Sequence, residues 1–564
     1  MDVHSPRGIE RVTTSLDRFF EHYYMRRPVN ATFTGVHDFD DRLPDWSPAG
    51  IDALNGEMRE IASMLEREFP APPSPREYAE RPDLLDAQLA RDFLSIQLAE
   101  NESGHGPRGN PALWTGEAVF SIVSLMIRDF APVEQRVASS IARLSAIPAF
   151  LAHATETMAN RPIPSAWKAK AVRECEGGKI LFTRGIERWI ADAKISDSSA
   201  NDLRQAASAA FGAAAAFADW LRSTPVGPDD AARAGPELFD LLLMRGHHCS
   251  RSRNDLLADA KSRFASERAK LNEMAEAMAG SWPAAQEQIL SDHPPAEDYF
   301  DAFERIWNEA RSVALARDVV TWPDWPIRYV PYPEYTSEVA PYLYYLHYRS
   351  PAPFDPYRVH DYVVPGLHRA SDDSVMRPWN YSVMKLNHVV HHGGIGHHVQ
   401  NWHAYNRAPS RVAKIAAVDC ANRLAMFSAG TMAEGWACYV TGLMDELGFL
   451  TPLEQIADQH TRVRGLARAI VDIELHQRSM TLEDAVRFYQ QEVGMSGDAA
   501  RGEAVKNSMF PCAAIMYWLG TQGILDLRAS LAKRAGAEWS LKQFHDDLLG
   551  CGSIPVALAA QILA

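Results

Sequence analysis

The sequence has few of the features that assign a chain to a special class of protein. Its six cysteines are scattered and form no CxxC pair, which favours buried thiols over disulfides or cysteine metal ligands. No uninterrupted apolar run reaches membrane-spanning length, and the first twenty residues contain no apolar signal core. We therefore expect a reduced, cytoplasmic protein that has no membrane partner.

Positive charge is also scarce. The chain has 57 Lys and Arg residues against 72 Asp and Glu residues, a formal net charge of −15. Because phosphate binding requires a basic face, we expect no nucleic-acid partner. The composition, 46% apolar and 23% charged, is typical of a soluble globular enzyme, and 564 residues exceed one ordinary core. The oligomeric state stays open.

Strand patterns are rare, and helical apolar periodicity covers most of the chain. One predicted helical pair, 133–147 and 148–160, is broken at Pro148. The main strand candidate is the Pro- and Tyr-rich segment at 325–365. We expect an all-α fold, a large helical body around a deep cleft, with a minor β element. Residues 1–320 would form one wall of the cleft and residues 321–564 the metal-site region, within one continuous fold.

Histidine, in contrast, is concentrated. The stretch 387–403, NHVVHHGGIGHHVQNWH, holds 6 of the 20 histidines. His391 and His397 are too far apart in sequence to share one face of an unbroken helix, so we expect the glycines between them to form a bulge that brings them together. Glu434, inside a second apolar run, would add a carboxylate. Two imidazoles and a carboxylate form a catalytic zinc arrangement, with His398 as the alternative to His397.

Four motifs in order resemble the family called "domain of unknown function 885", mostly helical proteins similar to zinc peptidases, over roughly residues 15–530. The motifs HExxPGHHxQ, EGWA, RxxxDxGxH and a late P…Y..G fall on 391–400, 434–437, 468–476 and 511–520. The resemblance implies a gluzincin-peptidase-like fold. It also implies zinc held by His391, His397 and Glu434, with water activated by a glutamate that follows the first histidine.

The sequence departs from this family pattern at the catalytic glutamate. His392 occupies that position, and we expect it to be a fourth ligand, a base or inert. Glu474 replaces a family glycine, which suggests that the missing carboxylate has moved there, although a solvated helix residue is the alternative. His476 and Tyr517 match positions that donate hydrogen bonds to a developing oxyanion.

Two cationic residues near these motifs are predicted to bind substrate. Arg468 belongs to the third motif, and Lys506 replaces an arginine that would suit a substrate carboxylate. Lysine cannot make the bidentate contact of an arginine, so the substrate is expected to differ from the family's.

Three functions stay open. The favoured one is a metal-dependent hydrolase, with a non-standard base, that cleaves an amide or related bond of a small molecule or short peptide-like substrate. A lyase or oxidase is the alternative reaction, and retained peptidase activity is the second hypothesis. The third is a degenerate protein that binds metal or ligand without turnover. Zinc is the expected metal, with iron, copper and nickel as alternatives.

Overall fold

The computed structural model describes residues 14–70, 74–343, 348–356, 359–367, 373–421 and 423–564. The predicted all-α class is confirmed, since helices account for most of the described chain. The first half contains α1 (Ser15–Arg26), α2 (Pro28–Thr34), α3 (Pro48–Glu68), α4 (Pro75–Glu80), α5 (Pro82–Glu102), α6 (Pro111–Met126), α7 (Val133–Met158), α8 (Ser165–Ile180), α9 (Ile186–Asp192), α10 (Asp197–Ser223), α11 (Pro236–Leu241), α12 (Arg253–Ala279), α13 (Trp282–Ser291) and α14 (Tyr299–Ala316).

The described part of the second half is also mostly helical and includes two short strands. It contains β1 (Ile327–Pro331), α15 (Glu334–Ser337), β2 (His360–Val364), α16 (Asp373–Met376), a π-helix (Val383–Gly393), α17 (His397–Arg407), α18 (Arg411–Ile415), α19 (Gly430–Glu446), α20 (Pro452–His476), α21 (Leu482–Val493), α22 (Gly497–Met509), α23 (Met516–Ala535), α24 (Leu541–Gly550) and α25 (Val556–Leu563).

Helix boundaries follow local sequence signals. Thr451 caps α20: its side chain accepts a hydrogen bond from the backbone of Glu454, and the Glu454 side chain accepts one from the backbone of Thr451. Pro452 takes the first helical position, where a missing N–H costs nothing. These two local signals account for the start of α20.

Pro148 does not break a helix, and the predicted pair is wrong: α7 runs unbroken across it. An internal proline costs about 3 kcal/mol because it removes a backbone hydrogen bond. Burial of Leu144, Ile147 and Leu151 in the same core cluster offsets that cost. By length and hydropathy α7 could cross a membrane, but its Arg143 is fully buried among backbone carbonyls of the fold.

The predicted minor β element is confirmed as a parallel pair in which Ile327 of β1 faces His360 of β2. The pair packs beside the histidine stretch. Tyr329 donates a hydrogen bond to the carbonyl of His388, and the Tyr362 hydroxyl lies 2.7 Å from Nδ1 of the same histidine. This small sheet therefore packs against one side of the π-helix. Helices α14 and α19 pack against other sides of the π-helix.

Residues from both sides of position 320 share the hydrophobic cores. Phe19 and Trp436 belong to one cluster of buried residues, and Leu256 and Ile470 belong to another. The boundary at 320 itself stays a prediction.

Candidate metal centre and its cavity

A glycine turn brings the two predicted histidine ligands together. The π-helix ends at Gly393 and α17 begins at His397. A side chain at Gly396 would overlap the carbonyl oxygen of His391, so only glycine allows this close approach. The ring centroids of His391 and His397 consequently lie 4.9 Å apart, despite their separation in sequence.

Glu434 on α19 completes this arrangement. Its Oε2 lies 3.3 Å from Nε2 of His391 and 3.7 Å from Nε2 of His397. The motif around it positions α19: Trp436 donates a hydrogen bond to the carbonyl of Ile395 at 2.9 Å, and Gly435 lets the backbone of α23 approach closely. The EGWA residues therefore provide one carboxylate beside the histidines, one hydrogen bond to the glycine turn and one close approach to α23.

His392 joins the same cluster. Its Nδ1 lies 2.7 Å from the carbonyl oxygen of Asn387, and because a carbonyl only accepts, Nδ1 carries the proton. Nε2 is left as a lone pair, the form that binds a metal. One ring nitrogen from each of His391, His392 and His397 lies within 4.8 Å of the others. His391 and His397 therefore have two further neighbours that could hold a metal, His392 and Glu434.

The donor set fits a transition-metal ion. Metal–ligand bonds of about 2.0–2.2 Å place neighbouring donor atoms about 3.0–3.6 Å apart, close to the separations between Glu434 and the two histidines. Burial alone would raise the pKa of Glu434, but hydrogen bonds from His391 and His397 outweigh it and hold that pKa well below its usual range. Burial and the neighbouring histidines lower the pKa of His392. A carboxylate and neutral imidazoles are the forms that bind metal.

The cluster opens into a cavity of about 170 Å³. His392, His397 and Glu434 lie in its wall, as do Lys506 and Tyr517, two of the residues predicted to act on substrate. A smaller cavity of about 60 Å³ adjoins it and shares several lining residues with it, namely Arg27, Asn30, Gln97, Glu100, Cys420 and Arg423, but none of the cluster. We call the cavity at the cluster the main cavity. It extends from the cluster towards the first helices of the chain.

His398 is not an alternative ligand, and that prediction is corrected. Its Nε2 donates to the carbonyl of Trp325 at 2.7 Å, and its ring stacks on the Trp325 indole. Burial lowers its pKa to about 4. It points away from the cluster because the segment before β1 supplies its partner.

The third motif lies in a region where the polar side chains are already paired. Nδ1 of His476 accepts a hydrogen bond from the backbone of Ala234, and its Nε2 donates to the carbonyl of Asn507. Burial, with a smaller effect of His105, lowers its pKa to about 3. Both ring nitrogens are used, so His476 cannot donate to a substrate oxyanion, and its predicted catalytic role is corrected.

Two further predictions in this region are corrected. Glu474 pairs with Lys261 at 2.6 Å and lies outside the wall of the main cavity, so the moved-carboxylate hypothesis fails in favour of a helix surface ion pair. Arg468 forms a forked pair with Glu503, which occupies the side that would bind a substrate carboxylate. Its guanidinium instead lies 5.3 Å from the ring of Tyr517, which it helps to position.

Comparison with known proteins assigns the family. A model for bacterial proteins of unknown function, DUF885, matches residues 28–563. The chain belongs to the DUF885 family. No protein with a curated description matches it.

Two solved structures share the fold. "The structure of a putative lipoprotein of unknown function from Shewanella oneidensis" superposes with a TM-score of 0.74 at 20% identity, covering 97% of this chain and 98% of that one. "The crystal structure of the putative lipoprotein from Colwellia psychrerythraea" gives 0.76 at 17% identity, covering 98% and 99%. The fold shared with these two structures therefore extends over essentially the whole chain.

The predicted cytoplasmic location is contradicted by this comparison. Both similar structures are described as lipoproteins, which are membrane-anchored and secreted rather than cytoplasmic. The prediction rested on the first twenty residues and on the lack of cysteine pairs.

Sequence reasoning missed the far wall of the cavity. Arg27, Glu100 and Arg423 come from distant parts of the chain and line the cavity together. The only sequence signal is that Arg27 directly precedes Pro28, where the DUF885 match begins. The sequence gives no indication that a guanidinium there faces a cavity shared with the histidines.

Proposed function

We propose that this DUF885 protein is a metal-dependent enzyme that acts on a small molecule bound in the main cavity. The observation that carries the proposal is the cluster of His391, His392, His397 and Glu434, of which His392, His397 and Glu434 line that cavity. The cavity would be the counterpart of the gluzincin-like cleft.

The leading reaction is hydrolysis of an amide or related bond. A metal held by the four side chains would supply Lewis-acid polarisation of the scissile carbonyl. Tyr517 lies in the same cavity wall and would offer its hydroxyl to the developing oxyanion. Lys506, also in the wall, would attract a negatively charged group of the substrate. Zinc is the metal that we favour for this reaction.

The proton acceptor differs from the family's glutamate. His392 stands in that position, and its Nδ1–H is fixed by Asn387, so only Nε2 could accept a proton or bind the metal. The other cavity carboxylates are engaged: Glu100 pairs with Arg423 and Asp419 accepts from Ser350. A non-standard base is therefore required for hydrolysis, and His392 Nε2 is the candidate if it is released from the metal.

A metal-dependent lyase or oxidase is the second candidate. It is favoured by the ligand set itself, because three imidazoles and one carboxylate suit iron, copper or nickel as well as zinc. A fourth protein ligand would also close a tetrahedral zinc site, whereas metals of higher coordination keep positions open.

The test is an assay of metal-reconstituted protein against a panel of small N-acyl compounds, run with and without oxygen. Hydrolysis that is lost on chelation and in His391→Ala would support the hydrolase. Oxygen consumption with iron or copper would favour the oxidase. Stoichiometric metal without turnover on any compound would leave a binding protein.

A further inference from the structure

Arg27 is a partly buried cation in the wall of the main cavity, at the junction of α1 and α2. Its Nη2 donates to Oε1 of Gln97 at 2.8 Å, and its guanidinium lies 4.7 Å from the centroid of the Phe93 ring. Its Nη1 is buried and has no hydrogen-bond partner among the described residues. Leaving a buried charged donor unpaired is costly, so such a group usually marks a binding partner.

No carboxylate of the described residues forms an ion pair with this guanidinium. The cavity is lined by four cationic side chains, Arg27, Arg349, Arg423 and Lys506, and by three carboxylates, Glu100, Asp419 and Glu434. Glu100 is paired with Arg423, Asp419 accepts from Ser350, and Glu434 belongs to the histidine cluster. The positive charge of Arg27 is therefore available to a ligand.

We propose that the substrate is a small carboxylic acid whose carboxylate pairs with Nη1 of Arg27, while its reacting bond lies at the histidine cluster. The position of the reacting bond rests on the proposed function. The position of the carboxylate rests only on the contacts of Arg27. Nη1 is the only nitrogen of Arg27 that is buried without a partner among the described residues, and the charges of Glu100 and Glu117 act on the guanidinium. A singly charged carboxylate suits this site better than a doubly charged phosphate.

Calorimetric titration of metal-free protein with malonate, succinate, glutarate and adipate tests the site, with the corresponding neutral diamides as reference ligands. At least one diacid is expected to bind more tightly than its diamide. Arg27→Gln is expected to weaken that binding at least about tenfold, as loss of a hydrogen bond to a charged group does.

Two further variants serve as controls for the Arg27→Gln result. Arg26→Gln is the matched control, because the Arg26 guanidinium pairs with Glu57 of α3 and Arg26 lines only the smaller adjoining cavity. Arg27→Lys keeps the charge and the stem but not the two-nitrogen fork, so it should fold like the wild type and still bind the diacid less tightly.

The outcomes separate this inference from the proposed function. Diacids that bind no better than their diamides, or that bind both Arg27 variants as tightly as the wild type, would overturn the carboxylate site. Metal titration of the same protein is an independent readout. Arg27-dependent diacid binding in a protein that binds no metal would uphold the carboxylate site and remove only the proposed enzyme.

Discussion

His391 and His476 are imidazoles in motifs of the same family, the first partly and the second fully buried, but their ring nitrogens have different partners. Nε2 of His391 faces a carboxylate at the wall of a cavity, beside two other imidazoles. Both nitrogens of His476 are bonded to backbone groups. The first region has ring nitrogens that could bind a metal, whereas the ring nitrogens of the second are used by the fold. Membership of a family motif alone therefore does not show that a side chain is functional.

We expect the largest effect on metal affinity when the carboxylate of Glu434 is removed. Glu434→Gln should lower metal affinity by more than about 100-fold, because loss of outer-shell partners alone costs 10–100-fold. Competition with a chromophoric chelator measures the affinity. Glu446→Gln is the control, since Glu446 lies on the same helix and forms a surface pair with Arg528. Equal affinity of the two variants would count against a metal centre at Glu434.

Removing His392 tests whether this histidine is one of the metal ligands. His392→Ala should lower metal affinity about 10- to 100-fold, since three of the four donors remain. The same competition assay applies. If affinity is unchanged, His392 is not a ligand, and its lone pair at Nε2 is free to act as a base.

In the second region the expected effect is on stability. His476→Ala should reduce the free energy of unfolding by about 3 kcal/mol, because it leaves the Ala234 N–H and the Asn507 carbonyl unpaired in the core. Urea unfolding measures the loss. Metal affinity should stay at the wild-type value, and a parallel loss of metal in folded protein would show that the two regions are not separate.

The same histidine should make stability depend on pH. Burial lowers the His476 pKa to about 3, against about 6.5 when unfolded, so the unfolded state binds the proton first. The contribution of neutral His476 is fully present above pH 6.5 and is lost as pH falls towards 3. The difference in stability between wild type and His476→Ala should shrink by about 2 kcal/mol at pH 5. A difference that does not change with pH would contradict the buried neutral ring.

Glu474 should give the smallest effect. Its carboxylate pairs with the half-exposed Lys261, so Glu474→Gln should cost less than about 1 kcal/mol and leave metal content and turnover unchanged. Thermal unfolding and the activity assay check this. Loss of turnover in a folded variant would restore the moved-carboxylate hypothesis.

The parts of the site that could be predicted were those set by local sequence. The glycines after His392 predicted the turn that brings His391 and His397 together, and the apolar run around Glu434 predicted a second helix. These features depend on backbone geometry that glycine and helical periodicity reveal directly.

The rest depended on long-range contacts. His398 adjoins His397, yet its Nε2 is bonded to Trp325, and nothing local distinguishes the two rings. The partners of His476 likewise lie in other segments. Arg27 reaches the cavity only through the packing of distant helices. Which polar atoms stay unpaired is a property of the assembled core and not of any motif.

The most direct test of the central claim is elemental analysis of purified wild type, His391→Ala and His476→Ala, each after incubation with zinc and with iron. We expect stoichiometric metal in the wild type and in folded His476→Ala, and none in His391→Ala. No metal in the wild type, or equal metal in all three proteins, would contradict a metal centre built on the histidine cluster.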